Sequence, residues 1–130
     1  MKYALAIYGA PTQSQAPQSA LHFAKALLSS GHDIVRLFFY QEGVHTASTL
    51  LTPPQDEPSL SEEWQQFIQT HQLDAVVCIA AALRRGILDQ QEAERYQRPN
   101  HNLASDYELS GLGQLLDAAQ IADRVITFGE

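Results

Sequence analysis

Short apolar runs recur along the chain, separated by longer segments in which apolar positions follow a helical period. The runs are 3–8 (YALAIY), 33–40 (DIVRLFFY), 73–80 (LDAVVCIA), 107–109 (YEL) and 123–128 (DRVITF). A continuous apolar run is typical of a strand buried on both faces, as in a parallel sheet. The pattern therefore predicts about five strands in a largely parallel sheet.

Two of the intervening segments carry clear helix signals. In segment 18–33, positions 20, 23, 24, 27 and 28 are apolar and form one helical face; Pro17 suits the first turn, and Gly31 is placed to end the helix. Ser59 and Glu62 fit a capping box, in which a side-chain oxygen caps the helix start. A further helical stripe follows the capping box, made by Trp64, Phe67 and Ile68.

The later segments are less regular. Residues 84–97 are predicted to be partly helical. Segment 110–122 (SGLGQLLDAAQIA) predicts another helix, with Ser110 as its cap. Its single apolar face would contain Leu112, Leu115, Leu116 and Ala119.

Strands that alternate with helices predict an α/β fold, a single α/β/α domain over residues 1–130 with helices on both faces of the sheet. Functional groups in such sheets collect beyond the carboxyl ends of the strands. The loops at that edge follow Tyr8, Tyr40, Cys78 and Leu109. The loop 41–58 contains three prolines and a glycine, and we expect mainly a long surface connection there, with room for a helical turn in its middle.

Composition narrows the class of protein. The chain has 130 residues and a net charge of −7, from 8 Lys and Arg against 15 Asp and Glu. Such an acidic domain is a poor candidate for direct nucleic-acid binding. No apolar run is long enough to cross a membrane, and the amino-terminal run predicts a strand rather than a signal peptide. A lone cysteine agrees with a reducing compartment, so we expect a cytoplasmic protein.

That cysteine, Cys78, ends an apolar run and is followed by IAAALRR. A free thiol, with a pKa of about 8.5, is mostly protonated at neutral pH, so a reactive cysteine needs groups that favour its thiolate. Backbone amides at the start of a helical turn and the guanidinium groups of Arg84 and Arg85 are candidates for this role. Small alanine side chains leave room for a second sulfur. The alternative is a buried cysteine that only fills space in a strand.

The sequence gives only weak signals for a phosphatase-type, metal-binding or dinucleotide-binding site. Cys78 and Arg84 have the C-x5-R spacing of phosphatase-type loops, although IAAAL contains no glycine and favours a helix. His45 and His101 lie in loops that can reach the carboxyl edge, but the histidines show no paired metal-ligand spacing. No G-x-G-x-x-G fingerprint follows the first strand. We therefore predict no cofactor and no metal.

Three blocks of the chain, FAKALLSSGHDIVRLFFYQEGVHTA, CIAAALRRGILDQQEA and LSGLGQLLDAAQIADRVITF, resemble the DsrE-like sulfurtransferase family. The resemblance covers almost the whole chain, and it implies an α/β/α fold and a persulfide carried on Cys78. It also implies a heterohexamer with TusB-like and TusC-like subunits, a TusA-like sulfur donor and a TusE-like sulfur acceptor. The sulfur would end at the 2-position of a tRNA wobble uridine.

Three functions stand as alternatives at this point. The first is a sulfur-relay enzyme that uses Cys78. The second is a non-catalytic assembly subunit in which the same cysteine is inert. The third is a phosphatase-like enzyme that uses the C-x5-R spacing.

Overall fold

The computed structural model describes residues 1–129 and contains five strands, five α-helices and one 3-10 helix. The strands lie where the apolar runs predicted them. The elements are β1 Lys2–Ile7, α1 Ala16–Ser29, β2 Asp33–Phe39, the 3-10 helix Gln41–Ala47, α2 Leu60–His71, β3 Ala75–Cys78, α3 Ile79–Arg84, α4 Gln90–Arg95, β4 Glu108–Ser110, α5 Gly113–Ile121 and β5 Arg124–Phe128.

All five strands form one sheet in the order β4-β3-β2-β1-β5, and every pairing is parallel. Parallel neighbours need a crossover connection, and the helices between the strands supply it. The carboxyl ends of all strands therefore share one edge of the sheet. The α/β class and the largely parallel sheet predicted from the sequence are confirmed.

Helices cover both faces of the sheet, which gives the predicted three layers. On one face, Trp64 of α2 packs edge-on against Phe39 of β2, with ring centroids 5.5 Å apart, and donates a hydrogen bond of 2.9 Å to the Pro17 carbonyl of α1. On the other face, Arg36 of β2 donates a hydrogen bond of 2.9 Å to the Gln114 carbonyl of α5. Side chains at 36 and 39 point to opposite faces of a strand, so α5 lies on the side away from α1 and α2.

The predicted helix signals at α1 and α2 are correct. Pro17 lies in the first turn of α1, and Gly31 follows that helix with a φ of 85°, a left-handed conformation that glycine adopts without a Cβ penalty. The Ser59 side chain accepts a hydrogen bond from the Glu62 amide at the start of α2. The three predicted apolar residues of α2 are buried.

The expectation of a surface connection over residues 41–58 is wrong in its first half. Residues 41–47 form the 3-10 helix, and Val44 and Ala47 are completely buried in the main core. The Gly43 amide donates a 3.0 Å hydrogen bond to the Tyr8 carbonyl, which fixes the segment at the carboxyl edge. Its 2.9 Å bond to the Tyr40 carbonyl closes the first turn of the 3-10 helix. The prediction relied on the three prolines of the segment. All three lie in its second half, at 53–58, so they carried no information about residues 41–47.

The predicted apolar face of the last helix is largely exposed. Leu112 and Leu116 are 45% and 67% exposed, whereas Ala118 is the buried residue of α5. Ser110 does not cap this helix, because it belongs to β4 and the N-cap position is Leu112. Leu115, the other leucine of the predicted face, is half-buried and packs against the main core. Among the described residues, no helix is both long and apolar enough to span a membrane.

Candidate functional site at the carboxyl edge

Cys78 is the last residue of β3 and the N-cap of α3, so it stands at the strand-to-helix junction that the sequence predicted. The apolar strand AVVC buries it in the sheet, and the alanine-rich run IAAAL then turns directly into a helix because alanine is the best helix former. Cys78 pairs with Ser110 of β4. The only thiol of the chain is thus held at the working edge of the sheet.

Sheet register places two tyrosines in the same row as Cys78. Ile7 pairs with Phe39, and Phe39 pairs with Val77, so Tyr8 and Tyr40 follow at the level of Cys78. The two tyrosine rings meet edge to face, with centroids 5.3 Å apart. Neither tyrosine was a predicted site residue. The only sequence feature that could have indicated them is that each tyrosine directly follows an apolar strand.

The thiol itself is buried. Cys78 is 3% exposed and belongs to the main apolar core, and no backbone amide donates a cap hydrogen bond to its side chain. Ala81 and Ala82 of α3 are buried beside it in that core. The expected hydrogen bonds from the following amides to sulfur are therefore absent from this arrangement, and the approach of a second sulfur requires movement of the elements that pack around the junction.

The two arginines after Cys78 have different surroundings. Arg84 is exposed and forms no hydrogen bond or ion pair with the described residues. Arg85 folds back along α3: its Nη1 donates a 3.1 Å hydrogen bond to the Ala81 carbonyl, and its Nε donates one to Oε2 of Glu42. The guanidinium group of Arg85 thus pairs with a carboxylate rather than with the thiol.

Glu42 is a residue that the sequence did not single out. It lies in the first turn of the 3-10 helix, and the hydrogen bond from Arg85 lowers the pKa of its carboxyl below the usual value, with smaller contributions from the charges of Arg85 and His45. The Nε2 atom of His45 is 3.6 Å from Oε1 of Glu42. His45 is therefore at the carboxyl edge, as expected, but its neighbour is Glu42.

His101 is not brought into this cluster by any contact. The chain around it pairs with the end of the 3-10 helix: the Thr49 amide donates to the Asn102 carbonyl at 2.7 Å, and the Ala104 amide donates to the Ala47 carbonyl at 2.9 Å. His101 itself is exposed and has no hydrogen bond or ion pair to the residues that the structure describes.

The phosphatase-type arrangement is not formed. Residues 79–84 make an α-helix, in which amides point along the helix axis rather than around a central oxyanion. Arg84 stands at the far end of that helix with an exposed side chain. Within residues 1–129, no group of three or more His, Cys, Asp or Glu side chains is arranged to hold a metal ion.

Comparison with known proteins agrees with this geometry. The model of the DsrE/DsrF-like family matches residues 1–128. A sulfurtransferase TusD homolog of Pseudomonas aeruginosa is 56% identical over 129 residues, which are 99% of this chain and 98% of that protein. Sulfurtransferase TusD of Salmonella newport is 45% identical over 128 residues, 98% of this chain and 100% of that protein.

The fold also has a counterpart among solved structures. The crystal structure of the ychN protein from E. coli superimposes with a TM-score of 0.76 at 22% identity, over 98% of this chain and 99% of that one. This likeness confirms the architecture. The family match and the relatives go further: the chain belongs to the DsrE/DsrF-like family.

Proposed function

We propose that this chain, a sulfurtransferase like its curated relatives, carries transferable sulfur as a persulfide on Cys78. The observation that carries the proposal is the position of Cys78. It is the one cysteine in the chain and stands at the carboxyl edge between β3 and α3. Ligands and reacting groups in parallel α/β sheets gather at this edge.

The transfer is a pair of thiol exchange steps. The Cys78 thiolate attacks the outer sulfur of a donor persulfide, an S–S bond forms at Cys78, and the donor leaves as a thiolate. An acceptor thiolate then attacks the outer sulfur of Cys78-S-SH, and Cys78 leaves as a thiolate. One sulfur atom moves in each step without an external oxidant or reductant. A good leaving thiolate favours the second step but is a weaker nucleophile in the first.

The partners follow from the family resemblance and form part of the proposal. A TusA-like protein donates the sulfur, a TusE-like protein accepts it, and TusB-like and TusC-like subunits complete a heterohexamer. The final product is a tRNA with a 2-thiolated wobble uridine, made in the cytoplasm. A net charge of −7 supports a role in the middle of the relay, where the chain does not bind the tRNA itself.

An exposed apolar surface supports assembly with other subunits. It lies on α5 and the edge strand β5, which has only β1 as a neighbour in the sheet. Exposed large apolar side chains grouped on neighbouring elements are typical of surfaces that bind other proteins. The exposed fractions are 45% for Leu112, 67% for Leu116, 51% for Ile121 and 41% for Val125.

Sulfur loading of the assembled protein tests the catalytic proposal. The chain would be purified with its partners and incubated with a persulfide donor. Intact mass is expected to increase by one sulfur atom, and thiol reductant is expected to remove it. Cys78→Ser should accept no sulfur, whereas Arg84→Gln, at an exposed neighbour, should load normally. Transferable sulfur on Cys78→Ser equal to that on the unchanged protein would disprove the persulfide role.

Subunit assembly needs a separate test. Leu116→Glu on α5 is expected to reduce co-purification with TusB-like and TusC-like subunits, because a charge would enter an apolar contact. Leu50→Glu is the matched control, since Leu50 is also exposed but lies outside α5 and β5. Equal recovery of both variants in the complex would exclude the α5 surface as the contact.

Burial of the thiol supports a second function, a non-catalytic assembly subunit. Cys78 is 3% exposed, and its side chain accepts no cap hydrogen bond from α3. These are the properties of an unreactive core cysteine. The alkylation rate of Cys78 in the assembled protein distinguishes the two functions. An alkylation rate no faster than the rate expected from global unfolding would favour the assembly role. A faster alkylation rate would favour the sulfur relay.

A further inference from the structure

The 3-10 helix Gln41–Ala47 covers the strand-to-helix junction at which Cys78 lies. It contacts both β3 and α3, the two elements that Cys78 joins. Its residues Val44 and Ala47 are completely buried in the same apolar core as Cys78. Any thiol that approaches Cys78 from this side must therefore displace the 3-10 helix.

One ion pair connects the 3-10 helix to the end of α3. Arg85 follows the last residue of α3 and reaches back to the Ala81 carbonyl, while its Nε bonds Oε2 of Glu42 in the 3-10 helix. Among the described residues, this is the side-chain hydrogen bond that joins the two elements. The backbone bond from the Gly43 amide to the Tyr8 carbonyl holds the 3-10 helix to the end of β1, not to α3.

A strained residue lies at the junction of the 3-10 helix with β2. Gln41 has a φ of 51°, a left-handed conformation that is uncommon for residues with a side chain. Such conformations persist where the surrounding contacts impose them. The turn from β2 into the 3-10 helix at Gln41 is therefore expected to depend on the packing of that helix.

We propose that Glu42 and Arg85 form a latch that keeps the 3-10 helix closed over Cys78. They act as positioning residues that set how often the thiol becomes accessible to a sulfur donor or acceptor. The Glu42 and Arg85 side chains are themselves 45% and 26% exposed, so the pair is weak and readily reversible. A weak latch suits a carrier that must shield a persulfide from stray thiols and yet release it to a partner. The inference rests on the proposed role of Cys78.

Alkylation measures the opening directly, because Cys78 is the only thiol of the chain. Iodoacetamide would be added to the native chain, and the modified fraction followed by intact mass. Glu42→Gln and Arg85→Gln should each increase the rate about two- to fivefold, the range that corresponds to loss of a partly exposed ion pair. The double variant should react no faster than the faster single variant, because both substitutions remove one interaction.

Arg84→Gln is the matched control, since it removes the neighbouring charge from an exposed position that has no ion pair to the residues the structure describes. Its rate should equal that of the unchanged chain. Unchanged rates in Glu42→Gln and Arg85→Gln, or an equal increase in Arg84→Gln, would overturn the latch.

A urea series separates local opening from loss of the fold. Local opening exposes little surface, so alkylation through it should vary little at low urea, whereas global unfolding depends steeply on urea. A steep dependence from zero urea in the two latch variants would mean general destabilisation and would also overturn the latch. Sulfur loading of Cys78→Ser tests the relay itself, so failure of the relay and failure of the latch give different results.

Discussion

Gly43 lies against the Ile7 carbonyl so closely that a Cβ atom at position 43 would overlap that oxygen. Ile7 is the last residue of β1, and Gly43 lies in the first turns of the 3-10 helix. The absence of a side chain thus allows this helix to approach the carboxyl edge of the sheet. The buried state of Cys78 depends on this approach, since the 3-10 helix contacts both β3 and α3.

Gly43→Ala is therefore expected to displace the 3-10 helix. The free energy of unfolding should fall by about 1–3 kcal/mol, as in other overpacked cores, and alkylation of Cys78 should become faster. Urea unfolding followed by circular dichroism measures the first effect. Gly113→Ala is the control, because an added Cβ there meets no atom within 4 Å. Equal stability of the two variants would contradict the close packing.

The Glu42–Arg85 pair should make stability depend on pH. Hydrogen bonding from Arg85 lowers the pKa of Glu42 in the folded chain. A lowered folded-state pKa gives a stabilisation that is complete above the unfolded pKa, near 4.5, and is lost as the pH falls through the folded value. The difference in unfolding free energy between the unchanged chain and Glu42→Gln should thus be complete at pH 7, decrease as the pH falls below about 4.5, and be lost once the pH is below the lowered pKa of Glu42 in the folded chain.

Urea unfolding of both proteins at a series of pH values measures that difference. Arg85 and His45 are the charged or titratable groups that face Glu42. Arg84→Gln provides the reference for loss of an unpaired arginine. A difference that stays constant from pH 7 to pH 3 would show that Glu42 stabilises the chain by something other than its charge.

Trp64 joins the two helices on one face of the sheet by its hydrogen bond to the Pro17 carbonyl, 2.9 Å long and buried. Trp64→Phe would remove that hydrogen bond and part of a fully buried ring. We expect the free energy of unfolding to fall by about 2–4 kcal/mol. Circular dichroism is the appropriate probe, because Trp64 is the only tryptophan. Gln66→Ala, on the exposed side of α2, should change little.

Tyr107 has a buried hydroxyl with no hydrogen-bond partner among the described residues. Burial, with a smaller effect from the charge of Asp106, raises the pKa of Tyr107 well above its usual value. Tyr107→Phe should therefore stabilise the chain by about 1 kcal/mol at pH 7, because it removes an unpaired polar group from the core. Thermal unfolding would show this as a higher Tm. A destabilised Tyr107→Phe would indicate that the hydroxyl has a bonding role.

Alkaline pH gives a second measurement at Tyr107. A raised folded-state pKa means that the folded chain favours the neutral phenol, so stability is complete below the unfolded pKa of about 10 and falls as the pH rises from there towards the folded value. The unchanged chain should lose stability in this range faster than Tyr107→Phe. Tyr96→Phe, at an exposed tyrosine, should follow the unchanged chain.

The sequence by itself determined the layout of this protein. Apolar runs located all five strands because strands of a parallel sheet are buried on both faces. Helix signals at Pro17, Gly31 and Ser59 were correct because capping depends on local backbone chemistry. The position of Cys78 at the carboxyl edge followed from the end of its apolar run and the alanines after it.

Only the tertiary structure decided what surrounds the thiol. The pairing of Glu42 with Arg85 joins residues 43 positions apart, and no local pattern specifies which carboxylate an arginine reaches. The burial of Val44 and Ala47 depends on Gly43 fitting against the end of β1, and the local sequence, with its prolines further on, does not reveal that contact. The exposure of Leu112 and Leu116 likewise depends on how α5 packs on the sheet and does not follow from the helical period alone. All three features involve residues that are far apart in the sequence. The pattern of apolar and polar residues reports local conformational preference, whereas contacts between distant segments depend on the packing of the whole chain.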